Sequence, residues 1–200
     1  EDLACVKLPR GVIKIGGSVF ENCVSLVDLT IPSNVTDIGP RAFAGCTDLP
    51  FILIPESVKS VGTAAFMNCS GLKSVELSSN VNEISKSMFF GCTSLEGISI
   101  PVGITKIGSS AFGNCSSLAY AIIPDSVTNI EAAAFYACSA LSSIEIPSSV
   151  TRINPNAFEK CTGLTILNIP SNVRYIGAWA FRDCTNLIKV NISSSTSLGS

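Results

Sequence analysis

Histidine is absent from the 200 residues. Its absence removes the commonest general base, most nucleophile triads and most zinc sites, leaving carboxylates as the main groups for acid–base work. Charge is scarce as well. Asp, Glu, Lys and Arg together make up 14% of the chain and the net charge is −2, so no basic stripe exists to neutralise phosphates and nucleic acid is not expected as a partner. Long apolar runs are missing too. Although 46% of the residues are hydrophobic, polar residues interrupt them every few positions and no run approaches the ~20 residues a membrane helix needs. The apolar residues must line a core, and this segment is not expected to insert directly into a membrane. No Cys-x-x-Cys pair occurs, which with the missing histidine predicts no metal site, and nothing calls for a cofactor.

What is abundant is repetition. Phe-x-x-Cys recurs every 23 residues without an insertion: Phe20/Cys23, Phe43/Cys46, Phe66/Cys69, Phe89/Cys92, Phe112/Cys115, Phe135/Cys138, Phe158/Cys161 and Phe181/Cys184. A fixed period overrides the usual length prior and makes residues 1–192 one continuous repeat domain. It holds eight full repeats, 3–186, and a ninth strand from Leu187 to Ile192. The serine-rich stretch 193–200 lacks repeat residues and reads as a tail or linker.

In the copy from Leu26 to Asp48, Leu29 and Ile31 alternate with Asp28 and Thr30, the pattern of a short strand with one buried face. Pro32 has no N–H for the ladder and ends the strand; Ser78 is the one exception to that proline. Val35 and Ile38 form a second inward pair that suggests a second short extended segment. Gly39 follows, and the spacing of Ala42, Phe43 and Cys46 places all three on one side of a single helical turn.

The pattern Leu-x-x-Leu-x-Ile-Pro-x-(Ser/Asn/Gly)-Val-x-x-Ile-Gly-x-x-Ala-Phe-x-x-Cys resembles the BspA-like leucine-rich repeats. The resemblance implies an α/β repeat solenoid: a right-handed superhelix with a parallel β-sheet of nine strands on its concave side and short helical or 3-10 turns on its convex side. It also implies an extracellular or cell-surface location and an adhesin-type role, the partner being a host or microbial surface protein or glycan. The alternative is a structural spacer or scaffold that projects another domain from the surface.

Eight cysteines at one repeat position would stack at about the ~4.8 Å strand spacing. Parallel side chains pointing the same way seldom meet disulfide torsions, so the ladder of Phe43, Cys46, Phe66, Cys69, Phe89, Cys92, Phe112, Cys115, Phe135, Cys138, Phe158 and Cys161 reads as structural, its thiols reduced and buried like small apolar residues. Cys5 falls on an outward strand position and should face solvent, as an ordinary terminal thiol or as one side of an intermolecular disulfide.

Catalysis is not expected. Glu76 and Glu145 share an outward row but lie three repeats apart, about 14 Å at the strand spacing, beyond the roughly 5–9.5 Å of paired glycosidase carboxylates. Binding is the better class. Outward strand positions need no large apolar side chains, so Phe51, Leu53, Tyr120, Ile122 and Ile166 stand out, with Glu76 and Glu145 as polar neighbours; together these seven are the candidate ligand-binding residues of the concave face. Gly97 and Ser99, between the bulky pairs, predict a shallow recess. The position after each repeated phenylalanine offers a second, convex stripe that includes Met67, Phe90 and Tyr136, and Trp179 is expected to cover the end of the core. The first and ninth strands leave Val6, Leu8, Val190 and Ile192 uncovered, which predicts end-to-end self-association or further repeats upstream of Leu3.

Overall fold

The structure, a computed structural model, describes residues 3–192 and the backbone of 197–198. It is a parallel-strand solenoid of about eight turns. Three-residue strands, among them Asp28–Thr30, Phe51–Leu53, Ser74–Glu76, Gly97–Ser99 and Tyr120–Ile122, recur at one position of the turn. They pair in parallel with a register of one full repeat, Phe51 opposite Ser74 and Tyr120 opposite Gly97. Two-residue strands from Lys14–Ile15 through Tyr175–Ile176 form a second parallel ladder, interrupted between Ser60–Val61 and Glu83–Ile84. Residues 193–196, 199 and 200 of the serine-rich stretch lie outside the described residues, while Ser197–Leu198 pairs with Tyr175–Ile176.

The expected nine-stranded sheet is corrected in two respects, the number of strands and their continuity. Eight of the nine positions form strands, and they hydrogen-bond by twos: Cys5–Lys7 with Asp28–Thr30, then 51–53 with 74–76, 97–99 with 120–122, and Ile166–Asn168 with Lys189–Asn191. Pairing nine positions by twos leaves one over, and it is 143–145.

The helical or 3-10 turns expected opposite the strands are not formed; the Phe–Cys arc is a succession of turns. Its geometry explains why. Two positions per turn, four residues apart, have left-handed backbone: Arg41 (φ 55°) and Gly45 (φ 75°), Ala64 (φ 56°) and Asn68 (φ 59°), and so on through Trp179 and Asp183. A right-handed helix cannot pass through such residues. Every second amide instead points along the solenoid axis: the N–H groups of Arg41, Phe43 and Gly45 donate to the carbonyls of Thr63, Ala65 and Met67 in the next turn at 3.0, 2.8 and 2.7 Å. The amides between them, of Ala42, Ala44 and Cys46, donate three residues back. The arc is thus a third inter-turn ladder. The spacing of Ala42, Phe43 and Cys46 was compatible with a helical turn, but the next turn offers better-placed acceptors.

The core lies between these ladders. Phe43, Phe66, Phe89, Phe112, Phe135 and Phe158 are fully buried, and successive rings from Phe20 to Phe181 stack with centroids 5.3–5.7 Å apart and planes within 14°. Such near-parallel stacking adds to the area term that drives the turns together. Beside the rings run the thiols. From Cys46 to Cys184 each donates to the carbonyl of the phenylalanine one turn back, Cys69 to Phe43 at 3.1 Å and Cys115 to Phe89 at 3.2 Å, and that carbonyl also accepts an amide of its own turn. Cysteine therefore suits the position twice, as a small apolar body and as a weak donor. Burial pushes the thiols of Cys46, Cys69 and Cys115 up to about 12. Cys5 is exposed, its Sγ 3.6 Å from Asp28 Oδ2.

Local departures from the repeat are repaired locally. Ser78, in place of proline, is buried and donates its hydroxyl to the Val58 carbonyl at 2.9 Å; Ser85, in place of glycine, donates to the Gly62 carbonyl at 2.9 Å. Trp179 does not cover the end of the core. It is exposed, under the Arg182 guanidinium at 5.6 Å. Burial falls toward both ends, where Val6, Leu8, Phe181 and Val190 are only partly covered.

Candidate functional site

Outward side chains of the three-residue strands form a surface whose composition changes from turn to turn while the inward ones hold the fold. On this surface Phe51, Leu53, Tyr120, Ile122 and Ile166 are each 41–58% exposed, far more than a core role would leave them. They gather in two places.

The larger is a groove of about 960 Å³ lined by Tyr120, Ile122, Ser143, Glu145, Ile166 and Asn168, with Asp125 and Pro147 from the turns that follow the strands. It lies over the unpaired position. The backbone of Ser143, Ile144, Glu145 and Ile146 makes no hydrogen bond to other backbone among the described residues. The edges of 120–122 and 166–168 that face this segment are likewise unpaired. An interior gap in a strand ladder leaves amides and carbonyls in want of partners, which suits it to an extended segment or ordered water. Neither Asp125 nor Glu145 forms an ion pair or a side-chain hydrogen bond among the described residues, and no Lys or Arg lines the groove.

The smaller place is the strand pair 51–53 and 74–76, where Phe51 stands opposite Ser74 and Leu53 opposite Glu76. It is separate from the groove. The seven residues singled out from the sequence thus fall into two groups, Tyr120, Ile122, Glu145 and Ile166 in one and Phe51, Leu53 and Glu76 in the other. Asp125, Pro147 and Asn168 were missed. The alternating strand pattern points outward side chains but gives no sign that the turn after the strand folds back beside them.

The recess expected at Gly97 is filled. A β-carbon on Gly97 would stand 2.2 Å from Cζ of Tyr120, so the tyrosine ring lies across the glycine. The missing side chain seats an aromatic from the next turn and opens no pocket. The same device closes the opposite stripe, where a β-carbon on Gly113 would stand 2.9 Å from the Phe90 ring. Ala44 and Glu159 of that stripe are buried and Met67, Phe90 and Tyr136 half-buried, packed against neighbouring turns.

Among the described residues, no group of three His, Cys, Asp or Glu could hold a metal ion, and no helix is long and apolar enough to cross a membrane.

The family model for the BspA type leucine rich repeat region matches residues 2–119 and 83–200 with six copies. Among solved structures, the T. pallidum leucine-rich repeat protein is 29% identical over 92% of this chain and 78% of its own, with a TM-score of 0.65. The pneumococcal vaccine antigen PcpA shares the fold at 20% identity and a TM-score of 0.63, matched over 98% of this chain and 59% of its own. Among curated proteins no match was found.

Proposed function

Since the chain belongs to the BspA-type leucine-rich repeat family, we propose that it is a non-enzymatic, surface-exposed binding module whose ligand docks on the strand face, over the groove between Tyr120 and Ile166. One observation carries this reading: large apolar side chains are exposed beside an unpaired backbone segment at the one strand position that the pairing leaves over. Exposed aromatic anchors next to unmet backbone donors and acceptors supply both halves of an interface, apolar area and direction. The cell-surface location is inferred from the family, and with it a host or microbial surface protein or glycan as the class of partner. Glu76 and Glu145, three turns apart, are too distant to act as an acid–base pair.

The test is a glycan and protein array probed with the domain and with Tyr120→Ala. A reproducible partner whose affinity falls at least tenfold, about 1.4 kcal/mol or more as for a central aromatic anchor, is the expected result. Binding unaffected by Tyr120→Ala would move the site elsewhere. Absence of any surface ligand would favour a spacer that holds another domain away from the cell.

A further inference from the structure

The two groups on the strand face are copies of one constellation. Phe51, Leu53, Glu56 and Glu76 recur, each three turns later, as Tyr120, Ile122, Asp125 and Glu145. Each set joins an exposed aromatic ring, an exposed aliphatic side chain and two exposed carboxylates. The intervening strand, Gly97–Ser99, presents no large outward side chain, and Cys5/Lys7, Asp28/Thr30 and Lys189/Asn191 farther along present no large apolar one; the second set has one addition, the exposed Ile166, where the first has Gly97 at the equivalent position. The fold does not require this recurrence, because these positions point away from the core. At ~4.8 Å per strand the sets are about 14 Å apart along the solenoid axis.

We propose that the two sets are equivalent subsites for one extended polypeptide of a partner protein, running along the solenoid axis and carrying two anchors, each an Arg or Lys beside an apolar residue. This rests on the strand-face reading above. Charge decides the anchor chemistry. Glu145 and Asp125 have no cation beside them, and Glu56 is held by hydrogen bonds from Ser79 and Asn80 without an ion pair. Lys73 precedes the first set, where the second has Ser142, so the second set is the more acidic of the two. An aromatic ring beside carboxylates suits a cationic side chain, which can lie on the ring face and reach an oxygen. Geometry decides the spacing. A strand rises ~3.3 Å per residue, so anchors four residues apart span about 13 Å and point to the same side. Linking two modest subsites raises affinity without new contacts.

The experiment titrates the domain into two fluorescein-labelled peptides by anisotropy. One carries two Arg-Leu anchors starting four residues apart in a Thr/Ser background; the other carries a single anchor. The two-anchor peptide is expected to bind at least tenfold more tightly. Phe51→Ser or Tyr120→Ser alone should reduce it to the one-anchor affinity, and Glu76→Gln with Glu145→Gln should weaken it and flatten its salt dependence. Circular dichroism checks that these exposed substitutions leave the fold intact. Equal affinities, or sensitivity to Tyr120→Ser but not Phe51→Ser, would overturn the paired subsites while leaving the single groove standing. Concentration-dependent self-association abolished by Tyr120→Ser would also overturn the proposal, with a second copy of the chain as the occupant. Failure of both peptides together with an empty array would sink the binding reading itself.

Discussion

Phe112→Ala is expected to destabilise the domain by about 3–5 kcal/mol, the range for deleting a buried aromatic side chain. The ring is fully buried and is stacked on both sides, on Phe89 at 5.6 Å and Phe135 at 5.3 Å. Its removal opens a cavity that neither neighbour can fill, because each ring is fixed by the next one along. The loss falls in the middle of a stack where every turn contacts only its neighbours, so it weakens two interfaces at once. Phe20→Ala makes the contrast. Phe20 is only partly buried and has a single stacked partner, Phe43, so its truncation should cost less than half as much. Denaturant melts of the two variants decide the matter, and equal small losses would show that the ring row is not the core.

Raising the pH from 7 to 10 is expected to withdraw stability in several increments at once, one for each buried thiol. The sign follows from where the thiolate can form. In the unfolded chain a cysteine ionises near ~8.5, whereas burial holds Cys46, Cys69 and Cys115 up to about 12 in the fold and raises Cys92 and Cys138 well above their ordinary value. Below pH ~8.5 both states keep the proton and nothing is lost. Between there and about 12 only the unfolded chain releases it, so stability falls as pH rises, by about 2 kcal/mol per thiol at pH 10. Thermal melts of the wild type and of a Cys69→Ala, Cys92→Ala, Cys115→Ala variant at the two pH values test this. The variant starts less stable, since it loses three thiol donors to phenylalanine carbonyls, but should lose about 6 kcal/mol less on going to pH 10. Parallel losses in both proteins would mean that the thiols are not the cause.

Most of the architecture was legible because it is written eight times. The inward Leu, Ile and Val positions, the proline after each strand and the Phe-x-x-Cys arc fix a stacked repeat before any geometry is known. The arc itself was misread. A spacing of i, i+1, i+4 fits one face of a helix, but Arg41, Ala64 and Trp179 are not residues that announce a left-handed backbone, and bonds that run to the next turn leave no mark within one repeat. The cysteine donors escaped for the same reason, their acceptors lying 26 residues back. The site was half legible. Outward alternation identified Tyr120, Ile122, Glu145 and Ile166, but whether neighbouring strands hydrogen-bond depends on small displacements between turns, and so the break at 143–146 could not be foreseen. The seating of Tyr120 over Gly97 likewise turned an expected recess into a filled one.

Native-state hydrogen exchange, read residue by residue on the unliganded domain, tests most directly the claim that the phenylalanine arc is an inter-turn ladder while the stretch 143–146 of the strand face is left unpaired. Expected is slow exchange at the amides of Phe43, Phe66, Phe89 and Phe112, which donate to the next turn, as slow as in the paired strands, with fast exchange at Ile144, Glu145 and Ile146 between protected neighbours. Rapid exchange along the phenylalanine arc, or protection of 144–146 without a partner, would contradict it.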